Sequence, residues 1–256
     1  MRSNKAISFF QLPNVKSLIT VALLTPVWLL TGCGISKYIP EDEKLYTGAS
    51  LEINRDFSVK GFKAVNAELE GLLEPEPNSK ILGMRIGLWS HYKMQQEHPG
   101  FINRFIYKKL GEEPVYLSDV DAEKTQNLIV NRLDNNGFFF SKVSADVEAG
   151  PRKASLNYSV DLAQPYELAS YQYEKDSSSI DRSIRELLDK TEIAEGDYFS
   201  LEMMKDERVR LNDALKNMGF YNFNPDFLIF EADTNQYDDK RFDLFLRLKQ
   251  NAPEKG

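Results

Sequence analysis

The sequence predicts an α+β protein in which a β-α-α-β-β unit occurs twice in tandem behind an apolar leader. Two observations predict this class. A segment of the chain recurs at a constant offset of 82 residues, and each copy combines helical apolar spacing with strand-like alternation. With 42% hydrophobic and 28% charged residues, the 256-residue chain can also form a folded core.

The repeated segment relates residues 115–140 to residues 197–223. The aligned identical pairs are Tyr116 and Tyr198, Ser118 and Ser200, Leu133 and Leu215, Asn135 and Asn217, Gly137 and Gly219, and Phe138 and Phe220. Ser118 and Ser200 are predicted N-caps, because a serine oxygen accepts a hydrogen bond from a free backbone N–H of the first turn. Gly137 and Gly219 are predicted to end the helices in the left-handed conformation that favours glycine.

The first unit is predicted over residues 44–163. Its strand covers residues 45–54, and an apolar stripe that includes Phe62 and Leu69 predicts the following helix. An insertion at about residues 78–113 precedes the repeated segment. In the closing hairpin, we expect the partner strand to be Val143, Ala145 and Val147, opposite the alternating apolar residues Ala154, Leu156, Tyr158, Val160 and Leu162.

The second unit is predicted over residues 164–250, followed by a tail at residues 251–256. Its strand covers residues 166–174, and Ser178 or Ser179 caps its first helix. The closing hairpin pairs the apolar series Phe242, Leu244, Leu246 and Leu248 with Phe227 and Ile229. The short connection between the units, near residues 163–165, predicts a semi-rigid arrangement.

The leader, residues 1–32, is predicted to be a lipoprotein signal peptide. Its apolar core at residues 17–30 is shorter than the roughly 20 residues of a membrane span. The residues Leu30, Thr31 and Gly32 before Cys33 form a bacterial lipobox, which makes Cys33 the lipid acceptor. The alternative is a short membrane anchor that contains a cysteine by coincidence.

Residues 33–43 are then a lipidated cysteine and a tether, which reaches at most roughly 30 Å. Gly34 is not the aspartate that signals inner-membrane retention in enterobacteria, which favours the outer membrane.

Charge and composition exclude several function classes. The formal net charge of −7 becomes −10 without the basic leader, and such an acidic body repels nucleic acid. The single cysteine excludes a multi-cysteine metal site. His91 and His98 are expected to be solvated loop histidines, with a metal pair as the alternative. No catalytic residue, cofactor or metal is predicted, and Asp238 and Asp239 are expected at a hairpin tip.

The tandem β-α-α-β-β pattern, with Gly-Phe after the second helix, resembles the POTRA domain. The insertion carries Pro77-Asn78-Ser79-Lys80-Ile81-Leu82-Gly83, then Leu88-Trp89 and Tyr92, and finally Gly111-Glu112-Glu113-Pro114-Val115. This order is similar to the N-terminal region of the TamL lipoproteins of Bacteroidetes, members of the BamA/TamA superfamily. Trp89 and Tyr92 are expected to pack internally, with a partner-binding surface as the alternative.

The resemblance implies a non-enzymatic periplasmic scaffold that holds outer-membrane protein precursors or docks a TamB-like periplasm-spanning protein. A client strand is expected to add to a sheet edge near residues 223–232. The candidate side chains there are Phe223, Phe227, Leu228 and Phe230; the alternative is that both faces of that strand are covered. Family members continue into a membrane β-barrel, whose strand pattern does not follow here. Both a fragment and a stand-alone envelope lipoprotein that binds an unrelated ligand or partner stay open.

Overall fold

The structure, a computed structural model, describes residues 34–175, 177–250 and 252. In chain order its elements are β1 (Leu45–Asn54), α1 (Phe62–Glu70), α2 (Ile86–Met94), α3 (Phe101–Leu110), α4 (Ala122–Asn135), β2 (Lys142–Ala149), β3 (Lys153–Asp161), β4 (Glu167–Gln172), α5 (Ser179–Leu188), α6 (Leu201–Asn217), β5 (Leu228–Asp233) and β6 (Arg241–Leu248). Within these residues, no helix combines the length and apolarity needed to cross a membrane. Cys33 and the lipobox residues Leu30, Thr31 and Gly32 lie outside the described residues.

Each repeat forms its own three-stranded sheet, and the last strand of the repeat lies in the middle. The strand orders are β1-β3-β2 in the first repeat and β4-β6-β5 in the second. In the second sheet, β4 runs parallel and β5 antiparallel to β6. The α+β class and the tandem β-α-α-β-β arrangement are therefore confirmed.

The hairpin of the first repeat has the predicted register. Val143 lies opposite Val160, Ala145 opposite Tyr158 and Val147 opposite Leu156. Leu156, Tyr158 and Val160 are buried, whereas the residues between them on β3 are half-buried. A period of two therefore identified the core face of this sheet correctly.

The hairpin of the second repeat differs from the prediction by one residue. Leu228 lies opposite Leu248 and Phe230 opposite Leu246, so the pairing predicted for Phe227 and Ile229 was wrong. A 3₁₀ turn at Pro225–Phe227 delays the start of the strand. Because successive side chains of a strand alternate between faces, this delay places Ile229 on the outer face.

The helix ends confirm three of the four predicted residues. The Ser200 hydroxyl accepts a hydrogen bond from the N–H of Met203 at the start of α6. Gly137 and Gly219 have φ values of 80° and 100°, as left-handed helix ends require. The prediction for Ser118 was wrong. It lies in a 3₁₀ turn, Leu117–Asp119, and Asp121 caps α4 instead.

The chain divides into two compact units at different places from the predicted domain boundaries. The insertion unit contains residues 34–46 and Pro77–Tyr116, and the repeat unit contains Thr47–Glu76 and the described residues from Leu117 onward. Both sequence repeats therefore belong to one compact unit. The division follows compact packing, whereas the predicted boundaries followed sequence similarity.

The insertion contains two helices, α2 and α3, that the sequence patterns did not predict. Its motif residues hold its two ends together: the Asn78 side-chain amide donates to the carbonyl of Glu113 over 2.6 Å, and the N–H of Val115 donates to Asn78 Oδ1 over 3.1 Å. Arg85, which is buried, donates to the carbonyl of Asn78. The Ser79 hydroxyl and N–H donate to Glu112. These motif residues are thus structural.

Candidate functional site

Part of the site predicted from sequence lies on β5, which is an edge strand of the second sheet. Leu228 and Phe230 belong to this strand, whereas Phe223 and Phe227 precede it. Its inner side pairs with β6 from Leu228 to Asp233. Just before the strand, the N–H of Lys249 donates to the carbonyl of Phe227 over 2.9 Å. Antiparallel pairing alternates inward and outward backbone groups along a strand. The N–H and C=O groups of Phe230 and Ala232 therefore face away from β6, and no described residue pairs with them in the backbone hydrogen-bond network.

The opposite edge of the same sheet is partly closed. The N–H of Leu168 in β4 donates to the carbonyl of Asp197 over 2.7 Å, and the N–H of Gly196 donates to the carbonyl of Leu168 over 2.8 Å. The segment between α5 and α6 thus occupies the beginning of β4. Within this sheet, β5 is the strand that leaves more of its outer backbone side open.

The four candidate side chains point inward or lie partly buried instead of forming an exposed surface. Phe223 and Leu228 are 2% and 1% exposed, and both belong to the core that includes Leu246. Phe227 and Phe230 are half-buried against this core. These aromatic and aliphatic side chains hold β5 in place. A chain that reached the edge would therefore contact backbone groups first.

Ile229 is the apolar residue that sequence analysis did not select. It is 38% exposed and lies on the outer face of β5, opposite Arg247. The predicted register placed it in the core, so the one-residue shift concealed it. An alternation signal in a six-residue strand is too short to reveal such a shift.

Charged groups on the outer face connect the strands. The Arg247 guanidinium donates to Glu174 over 2.7 Å and to Glu231 over 3.0 Å. Hydrogen bonds to Glu174 and then Glu231 raise the pKa of Arg247. The guanidinium also stacks on the Phe245 ring, 5.1 Å from its centroid. Arg247 thus links Glu174 and Glu231 across this face, which also carries the apolar residues Ile229 and Phe245.

Buried ionisable groups occur elsewhere, where they join helices to strands. Glu207, 4% exposed, accepts hydrogen bonds from Arg210, Thr191 and Tyr171. Burial and the neighbouring Glu207 carboxylate raise the pKa of Tyr171. These hydrogen bonds link β4, α6 and the segment that follows α5. They form a connection in the core and not a cleft.

One of the two histidines departs from the prediction, whereas His98 lies in an exposed loop as predicted. His91 lies in α2, half-buried, and its Nε2 is 3.0 Å from the Gln95 side-chain nitrogen. The expectation of a solvated loop was therefore wrong for His91. His98 is exposed between α2 and α3. Among the residues that the structure describes, no group of three His, Cys, Asp or Glu side chains is placed to hold a metal ion.

Tyr92 packs internally, as predicted. It is buried with Ile39, Leu45 and Leu88, and its ring stacks on Tyr38 at 5.4 Å.

Three solved structures are similar to this chain. The POTRA3-5 fragment of BamA from Haemophilus influenzae has 17% sequence identity and a TM-score of 0.41, over 85% of this chain and 70% of that chain. POTRA1-2 of the periplasmic domain of Omp85 from Anabaena has 10% identity and a TM-score of 0.36, over 82% and 98%. BamA from Haemophilus ducreyi lacking POTRA domains 1-3 has 16% identity and a TM-score of 0.34, over 50% of this chain and 22% of that chain.

No protein-family model matches the chain, and no curated protein matches it either. The similarity is thus to structures that contain POTRA domains, at sequence identities between 10% and 17%.

Proposed function

We propose that this protein is a non-enzymatic periplasmic scaffold in outer-membrane protein assembly or translocation, and that it binds extended client strands at the β5 edge. The outward backbone groups of Phe230 and Ala232 are the observation that carries this proposal. An added strand would supply their missing hydrogen-bond partners. Because backbone pairing depends little on side chains, one edge can accept many barrel precursors.

The proposal includes attachment to the outer membrane through a lipid on Cys33, with the folded residues in the periplasm. The lipobox Leu30-Thr31-Gly32-Cys33 supports this location. The sequence resemblance to the TamL lipoproteins supports a second partner, a TamB-like protein that spans the periplasm.

Ala232→Pro tests the edge directly. Proline removes the outward N–H of residue 232, and edge strands tolerate proline where that group faces solvent. The probe is a labelled synthetic peptide of about ten residues with the alternating apolar and polar pattern of a barrel strand. Loss of one or two backbone hydrogen bonds is expected to weaken the Kd, measured by fluorescence anisotropy, about tenfold.

Ala232→Val is the matched control, because valine adds a side chain but retains the N–H. Its affinity should stay within about twofold of the wild-type value, since β-branched residues suit strands. Circular dichroism and the Tm confirm that both variants fold. Equal affinity of the Pro and Val variants for the peptide would contradict strand addition at β5. The same conclusion would follow if a peptide with proline at alternate positions bound the wild-type protein as tightly as the original peptide. Saturable binding of one unrelated ligand that both variants retain would favour the alternative of an envelope lipoprotein with another partner.

A further inference from the structure

Helix α3 in the insertion unit presents its apolar side chains to solvent. Phe101, Ile102 and Phe105 are 82%, 69% and 60% exposed, and none of the residues of α3 is buried. At 100° per residue these three side chains lie within one third of the helix circumference. Together they expose on the order of 400 Å² of apolar surface. The largest apolar patch of a typical monomer has about this size and often has a function. We call these three residues the apolar face of α3.

Basic residues continue this face toward the end of the helix. Lys108 and Lys109, both exposed, lie one turn beyond Phe105 in the last turn of α3. Long lysine side chains can extend toward phosphate groups while an apolar face contacts acyl chains. Since the chain as a whole carries a net charge of −7, this positive cluster is local. An apolar face beside lysines is the composition of helices that lie in a membrane interface.

A second apolar protrusion belongs to the same unit. Leu82 is 92% exposed and has a φ of 50°. It forms a tight turn with Gly83, closed by backbone hydrogen bonds in both directions between Ile81 and Met84. A leucine at positive φ costs stability that glycine or asparagine would avoid. Neither its backbone nor its exposure has an explanation in the packing of the unit.

The start of the described chain places this unit beside the proposed lipid. Residues 35–37 already form a 3₁₀ turn, and Ile39 is 3% exposed in the core with Leu88. Residues 34–43 of the predicted tether therefore belong to the insertion unit. Between Cys33 and Ile35 the chain spans about 7 Å when extended. A lipid on Cys33 would hold the insertion unit against the bilayer surface.

We propose that the insertion unit docks on the membrane through the apolar face of α3, with Lys108 and Lys109 on anionic lipid headgroups. This inference rests on the proposed lipid anchor at Cys33 and goes beyond the proposed strand binding at β5. The occupant is a lipid bilayer, because the unit begins two residues after the lipidation site and because the face combines apolar and basic groups.

The test uses the mature full-length chain carrying Phe105→Cys, labelled with the environment-sensitive fluorophore NBD. The protein is reconstituted in vesicles of phosphatidylethanolamine and phosphatidylglycerol. The NBD emission is expected to shift to shorter wavelength and to be quenched by brominated lipids. Tyr221→Cys is the matched control: an aromatic residue of the repeat unit that is 73% exposed. Its NBD label should keep the emission of a fluorophore in water.

Charge and anchor are tested separately. Lys108→Glu with Lys109→Glu, or vesicles without phosphatidylglycerol, should reduce the quenching at position 105 severalfold. The mass of the mature wild-type protein, compared with Cys33→Ala, reports lipidation independently of α3. A lipidated protein whose label at position 105 stays in water would overturn the docking proposal and leave the anchor intact. The docking proposal would also be overturned if residue 105 crosslinked to a protein in cells and its label stayed in water on vesicles. Ala232→Pro, which tests strand binding at β5, should change neither the NBD signal at position 105 nor the mass of the mature protein.

Discussion

At the scale of single residues, Gly137 has a second role that its alignment with Gly219 did not predict: it allows the two repeats to approach closely. A Cβ at Gly137 would lie 2.8 Å from the carbonyl oxygen and 2.9 Å from the Cβ of Phe199, in the other repeat. The sequence pattern predicted the positive φ of both glycines correctly. It did not predict the close approach, because a distance between repeats leaves no periodicity in the sequence.

Gly137→Ala is therefore expected to destabilise the protein more than a substitution that only changes backbone freedom. Gly196→Ala is the matched control, with a φ of 86° and no atom within 4 Å of its added Cβ. The control should lower the free energy of unfolding by about 1 kcal/mol. Gly137→Ala should cost at least about twice as much, because Phe199 must also move. Urea titrations measure the free energy of unfolding of both variants. Equal losses of stability would mean that Phe199 moves away from the added methyl group at little cost.

At the scale of elements, the start of α5 depends on one buried carboxylate. Asp181 is 3% exposed and accepts hydrogen bonds from Tyr173, Ser177 and Ser178. Ser178 and Asp181 form a reciprocal capping box. Burial opposes ionisation, but these hydrogen bonds outweigh it and lower the pKa of Asp181 from 3.8 to about 2. The network thus connects β4 to the helix that follows.

Stability is expected to fall in acid because the folded pKa of Asp181 is below its unfolded value. The stabilisation, on the order of 2 kcal/mol, is present above about pH 4 and is lost as the pH falls toward 2. Asp181→Asn should remove most of this dependence and lower stability at pH 7. Glu186→Gln, on the exposed side of the same helix, should leave it in place. Denaturant titrations between pH 2 and pH 7 measure the effect, and an unchanged acid dependence in Asp181→Asn would contradict it.

Elements with long periodic patterns were predictable from sequence, and short or irregular ones were not. The nine-residue alternation of β3 identified its buried face. The start of β5 depended on a 3₁₀ turn at Pro225–Phe227, which shifted its pairing by one residue. Helix α3 was missed although Phe101, Ile102 and Phe105 share one face, because this stripe extends over only five residues. The candidate edge was identified correctly as a strand edge, whereas the orientation of its side chains required coordinates.

At the scale of the whole molecule, aromatic contacts join the two repeats into one unit. The Phe139 ring lies 4.9 Å from Phe199 and 5.7 Å from Tyr166, measured between centroids. The N–H of Tyr166 also donates to the carbonyl of Gly137 over 3.2 Å. The short connection near residues 163–165 suggested limited freedom. The packing provides a physical reason for it.

A double-mutant cycle measures this connection. Phe139→Ala and Phe199→Ala are expected to show a coupling energy of about 0.5–1.5 kcal/mol, the range of an aromatic pair. The control cycle combines Phe139→Ala with Phe245→Ala, on the outer face of the second sheet. The free-energy changes of these two substitutions should add within about 0.5 kcal/mol. Unfolding free energies from denaturant titrations provide the values. Additivity of the Phe139 and Phe199 substitutions would show that this aromatic pair does not stabilise the contact between the repeats.

The position of the last strand in the middle of each sheet has a consequence for export. The Thr47 hydroxyl bonds to a carbonyl 107 residues later, and Ser170 bonds to a residue 73 positions later. A chain that crosses a membrane from its N-terminus cannot complete either sheet until the third strand has emerged. Such long-range contacts form slowly. In the proposed export to the periplasm, neither sheet could therefore be completed inside the channel before its final strand arrives.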